Sequence, residues 1–327
     1  MNRDISVLRD PRNGSPLNHD DSGLVAADGT IFPIVDGIPR FVGSENYAAD
    51  FGEQWKNFPR TQLDSYTGLP MSEGRLSRCL RGELENLKGK LILEAGSGAG
   101  RFSEILLKRG ATLHSFDYSA AVEANAANNG DSDRLTLVQA DMLQMPFPSG
   151  SYDYVICLGV LQHTPNPEDS IRALWKMVRP GGRLVVDHYR WNLWLRLPPP
   201  LGDAEKLYRW LVLRLPKKKR LAATRAITKF WFPIYWRFRV SRWARRILAR
   251  TAGIHFYYGI FDLRDREEHL QWALLDTHDG MTDHYKHYRT EGEIRKVLEE
   301  LGAEDIRVDV GGNGVEAYCR KPGGTSG

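Results

Sequence analysis

Residues 90–188 alternate short apolar runs with amphipathic stretches, and this rhythm constrains the fold more than any other feature. "KLILEAG" is a continuous apolar run closed by glycine, as a strand buried on both faces requires. "RFSEILLKRG" follows as a helix with Phe102, Ile105 and Leu106 on one face and Gly110 at its stop. "ATLHSFDYS", "RLTLVQADM", "YDYVICLGV" and "RLVVDHY" read as further strands, with "AAVEANAANNG" and "DSIRALWKMVRPGG" as helices between them. Such alternation predicts a parallel sheet covered by helices on both faces. After about a hundred residues of different character the pattern resumes. "TEGEIRKVLEELG" is a helix opened by a capping box of Thr290 and Glu293, and the strands "AEDIRVDV" and "GVEAYCRKP" follow it.

In an open α/β sheet, ligands bind beyond the carboxyl ends of the strands. The first strand ends in "EAGSGAG", with Gly96, Gly98 and Gly100 at every second position behind Glu94. Glycine permits positive φ and lets a ligand touch main chain. A dinucleotide fingerprint would need glycine at position 101, where the chain has Arg101. A carboxylate at the end of the second strand, Asp117, can accept hydrogen bonds from two ribose hydroxyls.

The spacing Glu-x-Gly-x-Gly-x-Gly resembles the first motif of class I S-adenosylmethionine-dependent methyltransferases. "QAD", "SYDYVICLGVLQHTPNPE" and "MVRPGGRLVV" resemble that family's later segments in the same order, over about residues 88–188 and 290–320. The resemblance implies an α/β fold with a seven-stranded, mostly parallel Rossmann-like sheet and helices on both faces. It implies S-adenosylmethionine as cofactor, held by Glu94, Gly96, Ser97, Gly98 and Gly100 in the loop and by Asp117 and Tyr118 after the second strand. Asp141 and Met142 would meet the adenine, with Leu158 after the fourth strand, and Arg75 could pair with the cofactor's carboxylate. A solvated helix arginine is the plain alternative for Arg75.

Methyl transfer to a hydroxyl is helped by a base. His163, in "LQHTP", is the candidate catalytic residue, against the plainer reading of a loop histidine packed beside the cofactor. The Asn/Asp-Pro-Pro-Tyr/Phe signature of base-amino methylation is absent from "CLGVLQHTP", which leaves O-, C- and N-methylation of small molecules open. Two other uses stay open: different chemistry on the same cofactor, such as its cyclisation, and a non-catalytic scaffold.

Charge divides the chain. Net charge is +4, yet residues 190–250 hold 17 Lys and Arg against Asp203 and Glu205, and six of the nine tryptophans. Three uses of this basic aromatic insertion (residues 190–289) compete: a helical cap over the acceptor pocket, an interfacial surface for anionic lipid or a lipid-linked substrate, and a nucleic-acid site. The cap is the reading taken, since a solvated stripe has no need of six tryptophans, and nucleic acid ranks last. The stretch "HLQWALLDTHDGMTDHYKHYRTEGEI" resembles a Trp-x-x-Leu-Asp-Thr-x-Asp segment of bacterial methyltransferases, which implies that Asp276, Asp279 and Tyr285 face a small-molecule acceptor, with Asn313 beside them; Trp55 and Tyr66 form a lid or cap an edge of the core, two readings left open. The carboxylates and histidines lack metal-ligand spacing, so no metal is expected.

Residues 8–42 resemble a zinc-ribbon-like module that occurs beside methyltransferases, but "DPRN" and "VAADG" stand where its cysteines would fall. This predicts a metal-free β unit over residues 1–48, used for docking or dimerisation and compatible with a homodimer. The methyltransferase core is expected over 49–189 and 290–327. Three scattered cysteines (Cys79, Cys157 and Cys319), no apolar leader and no long apolar run lead to the expectation of a cytoplasmic enzyme.

Overall fold

The computed structural model describes residues 5–43, 46–193 and 204–324. Short strands come first: Asn18–Asp20 (β1), Gly23–Val25 (β2), Ile31–Phe32 (β3), Ile34–Val35 (β4) and Ile38–Pro39 (β5). The first three form one antiparallel sheet and the last two a ladder of their own. Leu8, Leu24, Ala26 and Phe32 share a buried cluster with Phe116, Phe147 and Tyr152, so this unit rests on the main core. Arg12 holds its turns together, reaching Asp10 at 2.7 Å and Asp28 at 2.8 Å.

Helices Ala49–Asn57 (α1), Asp64–Thr67 (α2) and Met71–Cys79 (α3) follow. Residues 50–88 look helical from the sequence, with "RLSRCLRGELENL" giving apolar positions at helical spacing, but α3 stops at Cys79. Arg81 and Gly82 turn to φ 55° and 85°, and a 3-10 turn covers Glu83–Asn86.

The main sheet contains Leu91–Ala95 (β6), Thr112–Asp117 (β7), Leu135–Gln139 (β8), Tyr152–Cys157 (β9), Val178–His188 (β10), Glu304–Gly311 (β11) and Gly314–Arg320 (β12). Its order is β11-β12-β10-β9-β6-β7-β8. Pairings among β6 to β10 are parallel, and β12 runs antiparallel to both β10 and β11. The expected seven-stranded, mostly parallel sheet is therefore present. Helices Arg101–Lys108 (α4), Val122–Asn129 (α5) and Pro167–Met177 (α6) connect the parallel strands. Strand β6 feeds two separate apolar clusters: Leu93 packs to one side with Val138 and Val186, and Ile92 to the other with Leu106 and Leu113. Strand β8 is the sheet edge. Phe41 donates its N–H to the Gln139 carbonyl there at 2.8 Å, so the segment after the small β unit covers unpaired backbone.

Between β10 and the last helix lie Glu205–Leu213 (α7), Lys217–Arg237 (α8), Arg242–Thr251 (α9) and Arg266–Thr282 (α10). Helix α10 packs on α7, α8 and α1, which brings it over the carboxyl ends of the sheet strands. The final helix, Glu291–Glu300 (α11), carries the expected capping box in full. Among the described residues, no helix is long and apolar enough to cross a membrane.

Candidate active site

A cavity of about 790 Å³ opens at the carboxyl ends of β6, β7 and β9. Its floor is the glycine loop. Gly96 has φ 77°, and a Cβ there would stand 2.3 Å from Val160 Cγ2. Gly100 has φ 85°, and a Cβ would meet Asn125 Oδ1 at 2.2 Å. These two glycines are required by protein neighbours as well as by backbone conformation. Gly98 faces the cavity under the Trp55 indole.

Asp117 closes the loop from below. Its Oδ2 accepts from the Gly98 N–H at 2.9 Å, and its Oδ1 accepts from the Ser119 N–H and Oγ at 2.8 and 2.7 Å. Burial raises its carboxyl above the usual range, while these three hydrogen bonds pull the other way. Ser97, Tyr118, Met142 and Leu158 line the same wall.

Glu94 lies behind the loop, buried. It accepts from Ser103 Oγ at 2.5 Å and Ser115 Oγ at 2.8 Å, and its Oε1 has no partner. Burial pushes its carboxyl up to about 7 from an ordinary 4.5. The folded protein therefore holds this proton more tightly than the unfolded chain between those two values. Stability contributed by the protonated form is lost as pH rises through that window, by about 3 kcal/mol at 1.36 kcal/mol per unit. Glu94→Gln is expected to flatten the fall of the melting temperature between pH 5 and pH 8; unchanged slopes in thermal unfolding would refute this.

Two guanidinium groups stand over the loop. Arg75 pairs with Asp187, whose Oδ1 also accepts from the Gly159 N–H at 2.6 Å and from Asn313 Nδ2 at 3.4 Å. Asp187 is thus the standing partner of Arg75, and the Nε of Arg75 is buried without one. Arg101 donates to Gln62 Oε1 at 2.7 Å and lies on the Phe102 ring; burial and the neighbouring Arg75 lower it to about 10.

The far end of the cavity is built by α10. Trp272, Asp276 and Asp279 fall at spacings of four and three, which places them on one helical stripe, and Asp283 follows as the cap of the helix C-terminus. Asp276 accepts from Gln62 Nε2 at 3.2 Å and from the Tyr257 hydroxyl. Burial raises the Asp276 carboxyl and takes that of Asp279 to about 6. Glu205 is held down to about 2 by Lys286 and His255, against the opposing effect of burial.

His163 lies between the two ends, in the turn Leu161–His163 after β9. Its Nδ1 is 3.2 Å from the Tyr285 carbonyl and 3.3 Å from Asp283 Oδ2, the latter at ion-pair distance without hydrogen-bond alignment. Both neighbours can only accept, so Nδ1 carries the proton and Nε2 is the basic nitrogen of the neutral ring. Burial works to lower the imidazole, but Asp283 and Asp279 outweigh it and raise it above its ordinary value. Asp283 is itself fixed by Arg209 Nε at 2.7 Å.

Several expected residues sit elsewhere. Gly100 starts α4 and does not line the cavity. Asp141 also lies outside the lining, accepting from the Leu143 N–H at 2.8 Å. Tyr66 is flanked by Arg60 and Arg264, away from the cavity. Tyr285 contributes its carbonyl, while its ring packs edge-on against Tyr47. Trp55, Asp276, Asp279 and Asn313 do line the cavity. The sequence reading passed over Asp283, Arg101, Asp187 and the Glu205–Lys286 pair. Asp283 follows Asp279 by four positions, a spacing that could have found it; nothing local links Glu205 to Lys286, 81 positions away.

Comparison with known proteins bears on this cavity. Residues 93–186 match the family model described as a methyltransferase domain. That segment holds the glycine loop, Asp117 and His163. The ubiquinone biosynthesis O-methyltransferase of Pseudomonas fluorescens (strain SBW25) is 36% identical over 106 residues, 31% of this chain and 45% of that protein. The protein of the same name from Pseudomonas syringae pv. tomato matches at the same identity and coverage. The chain thus spans under half the length of the curated relatives it matches. Human N-acetylserotonin methyltransferase, solved in complex with SAM, overlays with a TM-score of 0.47 at 14% identity, over 86% of this chain and 60% of that one.

Proposed function

We propose that this protein transfers a methyl group from S-adenosylmethionine to a hydroxyl of a small-molecule acceptor. One observation carries the reading: a single cavity joins the glycine loop and Asp117 at one end to His163 at the other. The O-methyltransferase names of the two Pseudomonas relatives favour oxygen as the accepting atom.

The residues present suit that cofactor. Asp117 offers a carboxylate to ribose, Met142 and Leu158 offer apolar contact to adenine, and Ser97 Oγ is a buried hydroxyl without a partner. Arg75 and Asn313, joined through Asp187, would serve the amino-acid end. Bound S-adenosylmethionine supplies a methyl group made electrophilic by its sulfonium. The chain's own part is to align the acceptor and remove its proton. The Nε2 of His163 takes the hydroxyl proton, and Asp283 stabilises the imidazolium that results. Asp276 and Asp279 orient the acceptor, while Phe51, Trp55 and Tyr257 keep water from the reacting end.

Residues 8–42 are read as a metal-free ribbon-like unit tied by an ion pair. Arg12, Asp10 and Asp28 stand in the two turns where the resemblance puts zinc ligands. The basic helices are read as the acceptor-side cap, with α10 as the part that reaches the site.

Calorimetry with S-adenosylmethionine and S-adenosylhomocysteine tests the cofactor. Mass spectrometry of products from phenol, catechol and sugar acceptors tests the reaction. Saturable binding of both compounds and an acceptor heavier by one methylene are expected. Saturation by a nicotinamide nucleotide in their place, or a cofactor fragment as the only product, would overturn the reading.

A further inference from the structure

The geometry points to a docking face for an anionic lipid bilayer on α9 and the turn before it. This goes beyond the methyl-transfer reading and does not depend on it. Four apolar side chains stand in water within ten residues: Phe238 is 46% exposed, Val240 74%, Trp243 74% and Ile247 42%. Such exposure is costly for a stretch with no covering partner. Nine of the fifteen large exposed hydrophobics among the described residues lie between Leu207 and Ile260, so the bias belongs to the insertion as a whole.

Helix α9 is fastened by its other side. Leu248 is buried, and Ala252 just beyond the helix is buried with it, against Phe232 and Tyr235. At 100° per residue, the half-circle opposite Leu248 is filled by Arg242, Arg246 and Arg250, followed by Trp243 and Ile247. Cations beside an aromatic and an aliphatic side chain are the composition of a helix lying in a lipid headgroup region. The stretch 237–250 has six arginines and no acid. Among the described residues, no carboxylate lies within ion-pair range of Arg242, Arg245 or Arg246, and these three line a shallow recess of about 430 Å³. The Nε of Arg245 is buried there without a partner, while its Nη1 donates to the Tyr258 carbonyl at 2.9 Å.

Charge complementarity selects an anionic surface. The apolar half selects lipid over RNA: Val240 and Ile247 offer no ring for a base to stack on, whereas hydrocarbon takes aliphatic and aromatic groups alike. The chain lies on the bilayer and does not cross it by these helices, none of which is long and apolar enough.

The test is flotation of the full chain with vesicles of phosphatidylcholine alone and of phosphatidylcholine mixed with phosphatidylglycerol. Binding to the anionic vesicles only, weakened by added salt, is expected. The double variant Arg242→Ala/Arg246→Ala should bind them about 10- to 30-fold more weakly. Trp243→Ser/Ile247→Ser should abolish quenching of tryptophan fluorescence by brominated acyl chains. Both variants change exposed side chains, and circular dichroism checks that they remain folded. Equal binding of the folded variants, no binding to anionic vesicles, or tighter binding to single-stranded RNA than to vesicles would each overturn the proposal.

Discussion

His163→Ala is expected to lower kcat about 10²–10⁴-fold while leaving S-adenosylhomocysteine affinity unchanged. The size follows from what is lost: a positioned base whose Nδ1–H is fixed by the Tyr285 carbonyl and by Asp283. The Asp283 contact stands at ion-pair distance, and catalytic contacts of this kind tighten when substrate binds. The pH profile carries a second signature. The two carboxylates raise the imidazole, so its base form is complete only above an ordinary histidine value of about 6.5, and turnover should rise through that displaced limb. Asp283→Asn removes one negative charge, so the limb should move to lower pH. It also offers Nδ1 a donor in place of an acceptor, which favours the wrong tautomer and lowers kcat. Steady-state rates from pH 5.5 to 9 decide the matter. A limb that stays in place in Asp283→Asn, or an unchanged kcat in His163→Ala, would remove His163 from the chemistry.

The second large effect is expected at Asp117. Three of the four lone-pair sites of its carboxylate are already taken by the Gly98 N–H, the Ser119 N–H and Ser119 Oγ. One site is open to a ribose hydroxyl, and a second opens only if Ser119 Oγ turns away. A hydrogen bond to a charged group is worth about 1.5–3 kcal/mol, so Asp117→Ala should weaken S-adenosylmethionine about 10- to 100-fold. The same change leaves the Gly98 and Ser119 N–H groups without an acceptor, at about 1–3 kcal/mol of stability. Asp117→Asn keeps one acceptor, enough for the Gly98 N–H or for Ser119 but not both, so it loses the charge in full and only part of the loop bonding. Calorimetry and thermal unfolding on both variants make the comparison. Retained affinity in a folded Asp117→Ala protein would place the ribose elsewhere.

Legibility differed by element. Strand β6 could be read directly because a parallel strand buried on both faces is a continuous apolar run, whereas β7 and β9, which carry His114, Ser115 and Asp153, were legible from their place in the strand–helix alternation. The capping box at Thr290 and Glu293 was equally plain, since both partners are within four positions. Helix α3 ended early because Arg81 adopts a positive φ, for which arginine side-chain chemistry gives no warning. That Gly96, Gly98 and Asp117 border the cavity was legible because strand ends and loops of this fold keep a fixed place in the chain. Tyr66 and Asp141 lie outside the cavity lining, since sequence position says which loop a residue occupies but not which way the loop turns it.

By itself, the sequence determined the sheet, the ligand edge and the loop with room for main-chain contact, since these depend on periods of two and 3.6 residues and on neighbours in the chain. Only the tertiary structure decided that Asp187 partners Arg75, that Asp283 stands behind His163, and that Lys286 neutralises Glu205. Each of these pairs joins residues from elements far apart in sequence. Burial removes the water that would otherwise screen them, so which charges meet, and what their protonation becomes, is fixed by the packing of α3, α7 and α10 around the sheet.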